Sequence, residues 1–290
     1  MACNYPVGTY TKENIPTFRP CGNCIGCRLE YSRQWALRCY HEAFLNDDNS
    51  FLTLTYNNEN LPDDKSLSKA ELSGFIKRLR KKIEPIKIRY FGCGEYGSQS
   101  TKRPHYHLCL FGYDFPDKEI IRHGSFTLSN SGKTRRGKDN NLYTSKMLQK
   151  AWKKGFVTIG EVNFKTAAYV ARYVTKKING PKEQDHYQGK TPEFALMSRM
   201  PGIGKPFFEK YMNDIYPKGF ITVDGIKQKP PIYYDNLYKS RFPEKYEELK
   251  KKRIKFQDKK EKIHGSIRGY QLEQHRKRIT KTLERTFENG

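Results

Sequence analysis

Residues 86–112 read IKIRYFGCGEYGSQSTKRPHYHLCLFG. Two apolar and aromatic runs, 86–95 and 103–112, flank the polar turn YGSQSTK at 96–102, which predicts an antiparallel β-hairpin. Side chains two apart on a strand share a face, so Tyr106, Leu108 and Leu110 turn toward a core while His105, His107 and Cys109 share the opposite face. Working outward, FLTLTY at 51–56 places Leu52 and Leu54 on one face and Thr53 and Thr55 on the other, the pattern of a half-buried strand. Ser68-Lys69-Ala70-Glu71 is a capping-box pattern opening a helix whose Leu72, Phe75, Ile76, Leu79 and Ile83 share one side. Spacing predicts further helices over 27–45, 143–155 and 163–178, and a strand over 155–162. Strands mixed with helices, without regular βαβ alternation, predict an α+β fold: an antiparallel sheet with helices packed on one face.

The 290 residues are 36% hydrophobic, enough to bury a core. Lys and Arg number 55 against 31 Asp and Glu, a net charge of +24, and such an excess faces a polyanion, with nucleic acid the leading partner. The opening MACNYPVGTY lacks the charged and apolar regions of a signal peptide, and no run of about 18 apolar residues occurs, so neither secretion nor membrane spanning is expected. Seven cysteines is an odd count, and three crowd into CGNCIGC at 21–27, which suits metal thiolates in a reducing cytoplasm better than a disulfide framework. Composition divides the chain into a Cys-rich segment with a first helix (1–47), a mixed α+β segment (48–235) and a basic tail (236–290). The tail carries 17 Lys or Arg against 8 Asp or Glu and is expected to be helical and loosely packed. A basic Gly/Ser-rich loop, including 131–138, interrupts the central segment.

His105 and His107 can converge on one ion from a common strand face, whereas chance supplies about 0.17 His-x-His pairs in this composition. A hard divalent ion such as Mg2+ or Mn2+ also needs oxygen, and Glu95, across the hairpin, is the best third ligand, with Gln99 as its substitute. Tyr169 and Tyr173 carry a spacing that chance supplies about 1.4 times. The helical wheel separates them from the Ala167, Val170, Ala171 and Val174 stripe and groups them with Lys176, so two phenols and a cation can serve one phosphate. A second such pair, Tyr234 and Tyr238, follows Pro230-Pro231 in a stretch read as irregular. Cys21, Cys24 and Cys27 with a fourth ligand from Cys3, Cys39 or His41 would complete a tetrahedral zinc site, while an iron–sulfur run would need a cysteine where Tyr31 stands. Two non-enzymatic readings remain open at this point: an RNA-binding module, which would need exposed aromatics on its sheet, and a zinc-dependent DNA-binding regulator, which would leave the tyrosines inert.

FLTLTYNNENLP (51–62), GEYG (94–97), RPHYHLCLFG (103–112), TIGEV (158–162), YVARYVTKK (169–177) and EFALMSRMPGIG (193–204) together resemble, in family order, the HUH-type rolling-circle replication initiators of gokushovirus-like Microviridae phages. The likeness runs from the Cys cluster to about residue 220, and the tail beyond it matches only in composition. It implies a ferredoxin- or RRM-like palm and metal-dependent nicking of single-stranded origin DNA by Tyr169 or Tyr173. The products would be a 5′-phosphotyrosyl link and a 3′-OH that primes rolling-circle synthesis, with religation to follow. It further implies a bacterial host cytoplasm and host replication machinery such as a helicase as partner. Histidines preceding tyrosines is the order of replication initiators, and Tyr173-Val174-Thr175-Lys176 resembles the Tyr-x-x-Lys motif of single-tyrosine members.

Overall fold

The computed structural model describes residues 3–10, 14, 16–97, 102–122, 125–127, 134–136, 141–173, 183–223, 225–264, 271 and 273–278, with backbone alone at 125–127, 134–136, 173 and 256–264. In chain order the elements are β1 (Val7–Tyr10), β2 (Pro16–Arg19), α1 (Ile25–Ala43), β3 (Asn49–Tyr56), α2 (Lys69–Lys82), β4 (Arg89–Tyr96), β5 (Pro104–Phe111), β6 (Lys118–Arg122), β7 (Ser125–Thr127), β8 (Thr134–Arg136) and β9 (Leu142–Ser145). Then follow α3 (Lys146–Trp152), β10 (Gly155–Gly160), α4 (Phe164–Tyr173), α5 (Glu183–Tyr187), β11 (Phe194–Met197), α6 (Lys205–Lys218), β12 (Ile221–Val223), β13 (Ile226–Gln228), α7 (Ile232–Arg241) and α8 (Pro243–His264). Two compact units result, Trp35–Phe207 and a second that joins Met1–Gln34 to Phe208–Gly290.

The larger unit is built on a seven-stranded antiparallel sheet of order β11-β4-β5-β3-β10-β9-β6, so the class is α+β as its strand pattern predicts. Ser68 caps α2 by accepting the Glu71 amide, and the buried stripe Leu72, Phe75, Ile76 and Leu79 packs with Leu148, Ala151 and Trp152 of α3 over Leu52, Leu54, Tyr106, Leu108 and Leu110. Each such buried side chain contributes about 1.5–3 kcal/mol. The opposite face is covered as well, which departs from the one-sided packing expected. Phe91, Cys93, Cys109 and Phe111 are themselves apolar there, and Cys39 of α1 with Ala167, Val170 and Ala171 of α4 close over them. An apolar patch of that size must leave water. Gly155 adopts φ +145°, and a Cβ there would lie 2.2 Å from the Asn57 nitrogen and 2.5 Å from the Thr55 oxygen. Only glycine lets β10 begin so close to the end of β3.

His41 of α1 is buried, with its ring 3.9 Å from that of Phe207 and 2° from parallel, and burial pulls its pKa down to about 3. An unfolded histidine titrates near 6.5, so between these values the unfolded chain binds a proton that the folded chain refuses. Stability therefore falls as pH drops below about 6.5, by up to about 1.4 kcal/mol per pH unit. His41→Phe, which keeps the ring stack, is expected to flatten this acid limb in denaturant titrations near pH 7 and near pH 4.5. An unchanged limb would exclude His41 as its source.

In the smaller unit the tail is less loose than its composition predicts. Tyr238 stacks on Tyr216 at 3.9 Å, and Asp235 accepts hydrogen bonds from the Tyr216 hydroxyl at 2.9 Å and from Arg253 at 2.7 Å. Tyr234 and Tyr238, read as lying in an irregular stretch, belong to helix α7 and are buried. Pro231 precedes that helix rather than interrupting it, a position proline tolerates. The basic segment 131–138 is likewise not wholly irregular: Thr134–Arg136 forms β8 against β7, and its remaining residues lie outside the described ones. Among the described residues no helix is long and apolar enough to cross a membrane.

Candidate metal centre and tyrosine helix

Register brings three predicted ligands together. In the β4–β5 ladder Glu95 lies directly opposite His105, and His107, two residues on, lies on the same face. His105 Nε2 and His107 Nε2 stand 2.5 Å and 3.1 Å from the same oxygen, Glu95 Oε1. The other ring nitrogens are anchored, with His105 Nδ1 donating to the Arg103 carbonyl at 3.0 Å and His107 Nδ1 hydrogen-bonded to the Thr53 hydroxyl at 2.9 Å. A carbonyl only accepts, so Nδ1 of His105 carries a proton and its Nε2 presents a lone pair to a carboxylate oxygen. That approach requires a proton or a cation between the two atoms.

Glu95 is only 3% exposed, and its second oxygen, Oε2, is buried without a hydrogen-bond partner among the described residues. Burial raises the Glu95 pKa, but hydrogen bonds from the two imidazoles and their charge outweigh it and hold the carboxyl below its ordinary range. One carboxylate and two imidazoles, with ligand atoms all within 4.8 Å of one another, form an N/N/O donor set suited to a divalent cation. The spare Oε2 lone pairs fit the same group.

Tyr169 lies beside this set. Its ring is 5.1 Å from that of His107 and 6.2 Å from that of Phe51, and the Arg172 guanidinium sits 5.9 Å from its ring centre. Here the helical-wheel reading needs correction. Tyr169 is only 8% exposed and belongs to the buried cluster with Ala167, Val170 and Ala171, because α4 packs on the histidine face and so carries its apolar stripe and Tyr169 inward together. Tyr173 is the last residue of α4, four positions on, with its backbone alone described; Lys176 and Gln99 lie outside the described residues.

The second thiolate set lies in the smaller unit. Sulfurs of Cys3, Cys21, Cys24 and Cys27 all lie within 4.8 Å of one another, with Cys21–Cys27 at 4.0 Å and Cys24–Cys3 at 3.8 Å. Four sulfurs at about 2.3 Å from one tetrahedral ion would be about 3.8 Å apart. Amides of Cys21, Asn4 and Cys24 donate to the sulfurs of Cys3, Cys24 and Cys21 at 3.2–3.3 Å. Despite the cost of desolvation, hydrogen bonds hold the Cys24 thiol at about 6, whereas burial lifts Cys27 to about 12. Of the three fourth ligands open in the sequence, Cys3 is the one the fold supplies. Cys39 is buried in the larger unit's core and His41 stacks on Phe207. Thr53, which orients His107, was missed as a site residue, although its face in FLTLTY matches that of the histidines in the paired strand.

A bacteriophage DNA-replication protein carries this sheet and this triad. Residues 49–178, from β3 to beyond α4, match the family of replication-associated protein ORF2, a span that contains Glu95, both histidines and both tyrosines. The chain belongs to that family. It is 35% identical over 246 residues to replication-associated protein VP4 of Bdellovibrio phage phiMH2K, covering 82% of this chain and 73% of that protein. It is also 35% identical over 250 residues to replication-associated protein ORF2 of Spiroplasma virus 4, covering 81% of this chain and 73% of the relative. Identity to replication-associated protein ORF4 of Chlamydia phage 1 is 29% over 250 residues, 81% of this chain and 58% of that protein. No solved structure matches the chain.

Proposed function

We propose that the chain is a rolling-circle initiator that nicks single-stranded origin DNA through a tyrosine and later religates the ends. The single observation that carries this reading is the Tyr169 ring 5.1 Å from His107, beside a carboxylate that joins both histidines. Glu95, His105 and His107 would hold Mg2+ or Mn2+, which when bound supplies Lewis-acid polarisation of a phosphate oxygen. The chain's own residues do the rest. Thr53 and the Arg103 carbonyl fix the two rings so that both Nε2 atoms face Glu95. A phenol with an ordinary pKa of about 10 must lose its proton before attack, and Arg172 beside Tyr169, like Lys176 beside Tyr173, favours the phenolate. The phenolate oxygen bonds to phosphorus, the bond from phosphorus to the 3′ oxygen breaks, and that oxygen takes up a proton. Because one phosphodiester replaces another, the reverse attack by a 3′-OH religates DNA without ATP.

In this reading 48–235 is the nicking domain, with every site residue inside Trp35–Phe207. Basic stretches at 131–138 and 236–290 add sequence-independent phosphate contacts. The protein works in the cytoplasm of a bacterial host alongside its replication machinery, a helicase included. Incubating the purified chain with single-stranded origin oligonucleotides tests the assignment. Cleavage that needs a divalent ion and leaves a protein-linked 5′ end is expected; no cleavage with Mg2+ or Mn2+ would sink it and return the RNA-binding or zinc-dependent regulator readings.

The four-cysteine cluster is a structural zinc site in the same proposal, tying the segment before β1 to the start of α1. Elemental analysis is expected to give about one zinc per chain, lost in Cys24→Ser and in Cys3→Ser alike. Zinc-free protein that is stable and fully folded would end that assignment.

A further inference from the structure

The row of paired residues through the candidate metal centre does not stop at the histidines. Glu95 faces His105 across β4 and β5, His105 faces Thr55 across β5 and β3, and Thr55 faces Phe156 across β3 and β10. Directly paired residues share a face, so Phe156 stands on the same side of the sheet as the three ligands, two strands from His105 and about 10 Å away. The helices cover this face over Phe91, Cys93, Cys109 and Phe111 but leave it open at β10, where Phe156 is 63% exposed. A single exposed apolar side chain means little by itself. Among the described residues of this unit, however, Phe156 and Phe44 are the exposed aromatic side chains, and Phe44 lies on α1 with its ring edge-on to Phe207.

The neighbours of Phe156 keep its ring accessible. Thr55 and Thr158 are short, and the next pair, Val157 with Leu54, points to the other face. Gly155, which admits no side chain, holds the start of β10 tight against Thr55 and Asn57 and so fixes where Phe156 projects. Beyond the same end of the row, Arg103 donates to Asn58 at 2.6 Å, and its Nε is buried without a hydrogen-bond partner among the described residues. An aromatic platform with a cation nearby, on a chain of net charge +24, matches a single nucleic-acid strand, whose bases each offer a π-face.

We propose that Phe156 is the stacking platform for a base of the single-stranded DNA next to the phosphate at Glu95, His105 and His107, with Arg103 contacting the adjoining backbone. This rests on the nicking reading for the strand's position and adds its binding subsite. Stacking is sequence-tolerant, so the subsite fixes how the strand lies without reading its bases.

Anisotropy of a fluorescently labelled, mixed-sequence single-stranded oligodeoxynucleotide of about 20 residues, with chelator present, measures binding apart from any cleavage. Phe156→Ala is expected to weaken binding about 5- to 150-fold, the range for loss of one base stack. Phe156→Trp should bind as well as the parent chain, and Phe156→Leu, apolar but without a ring, should bind as poorly as Phe156→Ala. An oligonucleotide carrying abasic sites should lose affinity for the parent chain and much less for Phe156→Ala. Thermal midpoints equal to the parent's confirm that the variants are folded, as expected for an exposed position. Binding by Phe156→Ala or Phe156→Leu within twofold of the parent overturns the subsite and leaves the nicking reading intact. A parent chain that binds no single strand overturns both.

Discussion

Tyr169→Phe/Tyr173→Phe is expected to form no covalent DNA adduct, a loss on the order of 10⁶-fold if a covalent nucleophile has been removed. The readout is a protein band that keeps labelled DNA through denaturant, with the linkage mapped by peptide mass analysis. The single variants should differ, because the two positions are not equivalent. Tyr169 is buried against His107 and Phe51 with Arg172 over its ring. Tyr173 ends α4 and is followed at the i+3 position by Lys176. Tyr173→Phe is expected to lose most of the first cleavage, and Tyr169→Phe to keep it but fail at repeated cleavage and circle release. Each phenylalanine preserves the ring, so thermal unfolding should shift little, at most by the roughly 1 kcal/mol of a hydroxyl's hydrogen bond. A double variant that still forms the band would show that neither residue is the nucleophile.

His107→Gln is expected to reduce divalent-dependent nicking on the order of 10³-fold, the scale of several kcal/mol of metal-derived stabilisation. Glutamine is the better probe than alanine. His107 is buried, hydrogen-bonded to Thr53 and within ring contact of Phe51, so truncation would open a hole in the packed face and confuse folding with chemistry. Glu95→Gln replaces the shared carboxylate by a neutral isostere in the same place. Calorimetric titration with Mn2+ should find its affinity lowered at least tenfold, independently of any DNA. Parent-like Mn2+ binding in both variants would remove the β4–β5 ligand set from the mechanism and require a metal site elsewhere.

Local rules made much of this protein legible. Period-two alternation in 51–56 and 103–112, a capping box at Ser68 and a polar turn at 96–102 name their elements whatever packs on them, and β3, β5, α2 and the β4–β5 hairpin stand where they indicate. The same alternation put His105 and His107 on one face, and the hairpin placed Glu95 across from them. For Tyr169 the local rule failed. A helical wheel says which residues of a helix share a side but not which sheet face the helix will meet. Once α4 packs on the histidine face, the apolar stripe and Tyr169 turn inward together. The tail misled for a similar reason: a basic, aliphatic-poor composition conceals the Tyr216, Tyr238, Asp235 and Arg253 cluster, whose stability comes from residues far apart in the chain.

By itself, then, the sequence determined the α+β class, the polyanionic partner implied by its charge, and the candidate ligands, because each depends on composition or on neighbours within one strand, helix or hairpin. Tertiary structure alone decided that both faces of the sheet are covered, that Cys3 rather than Cys39 or His41 completes the thiolate set, and that Thr53 orients His107. It also decided that Phe156 stands in line with the histidines. Those outcomes depend on strand order and register across segments about 50 to 100 residues apart, and the pairing of distant segments is a property of the whole packed core rather than of any local pattern.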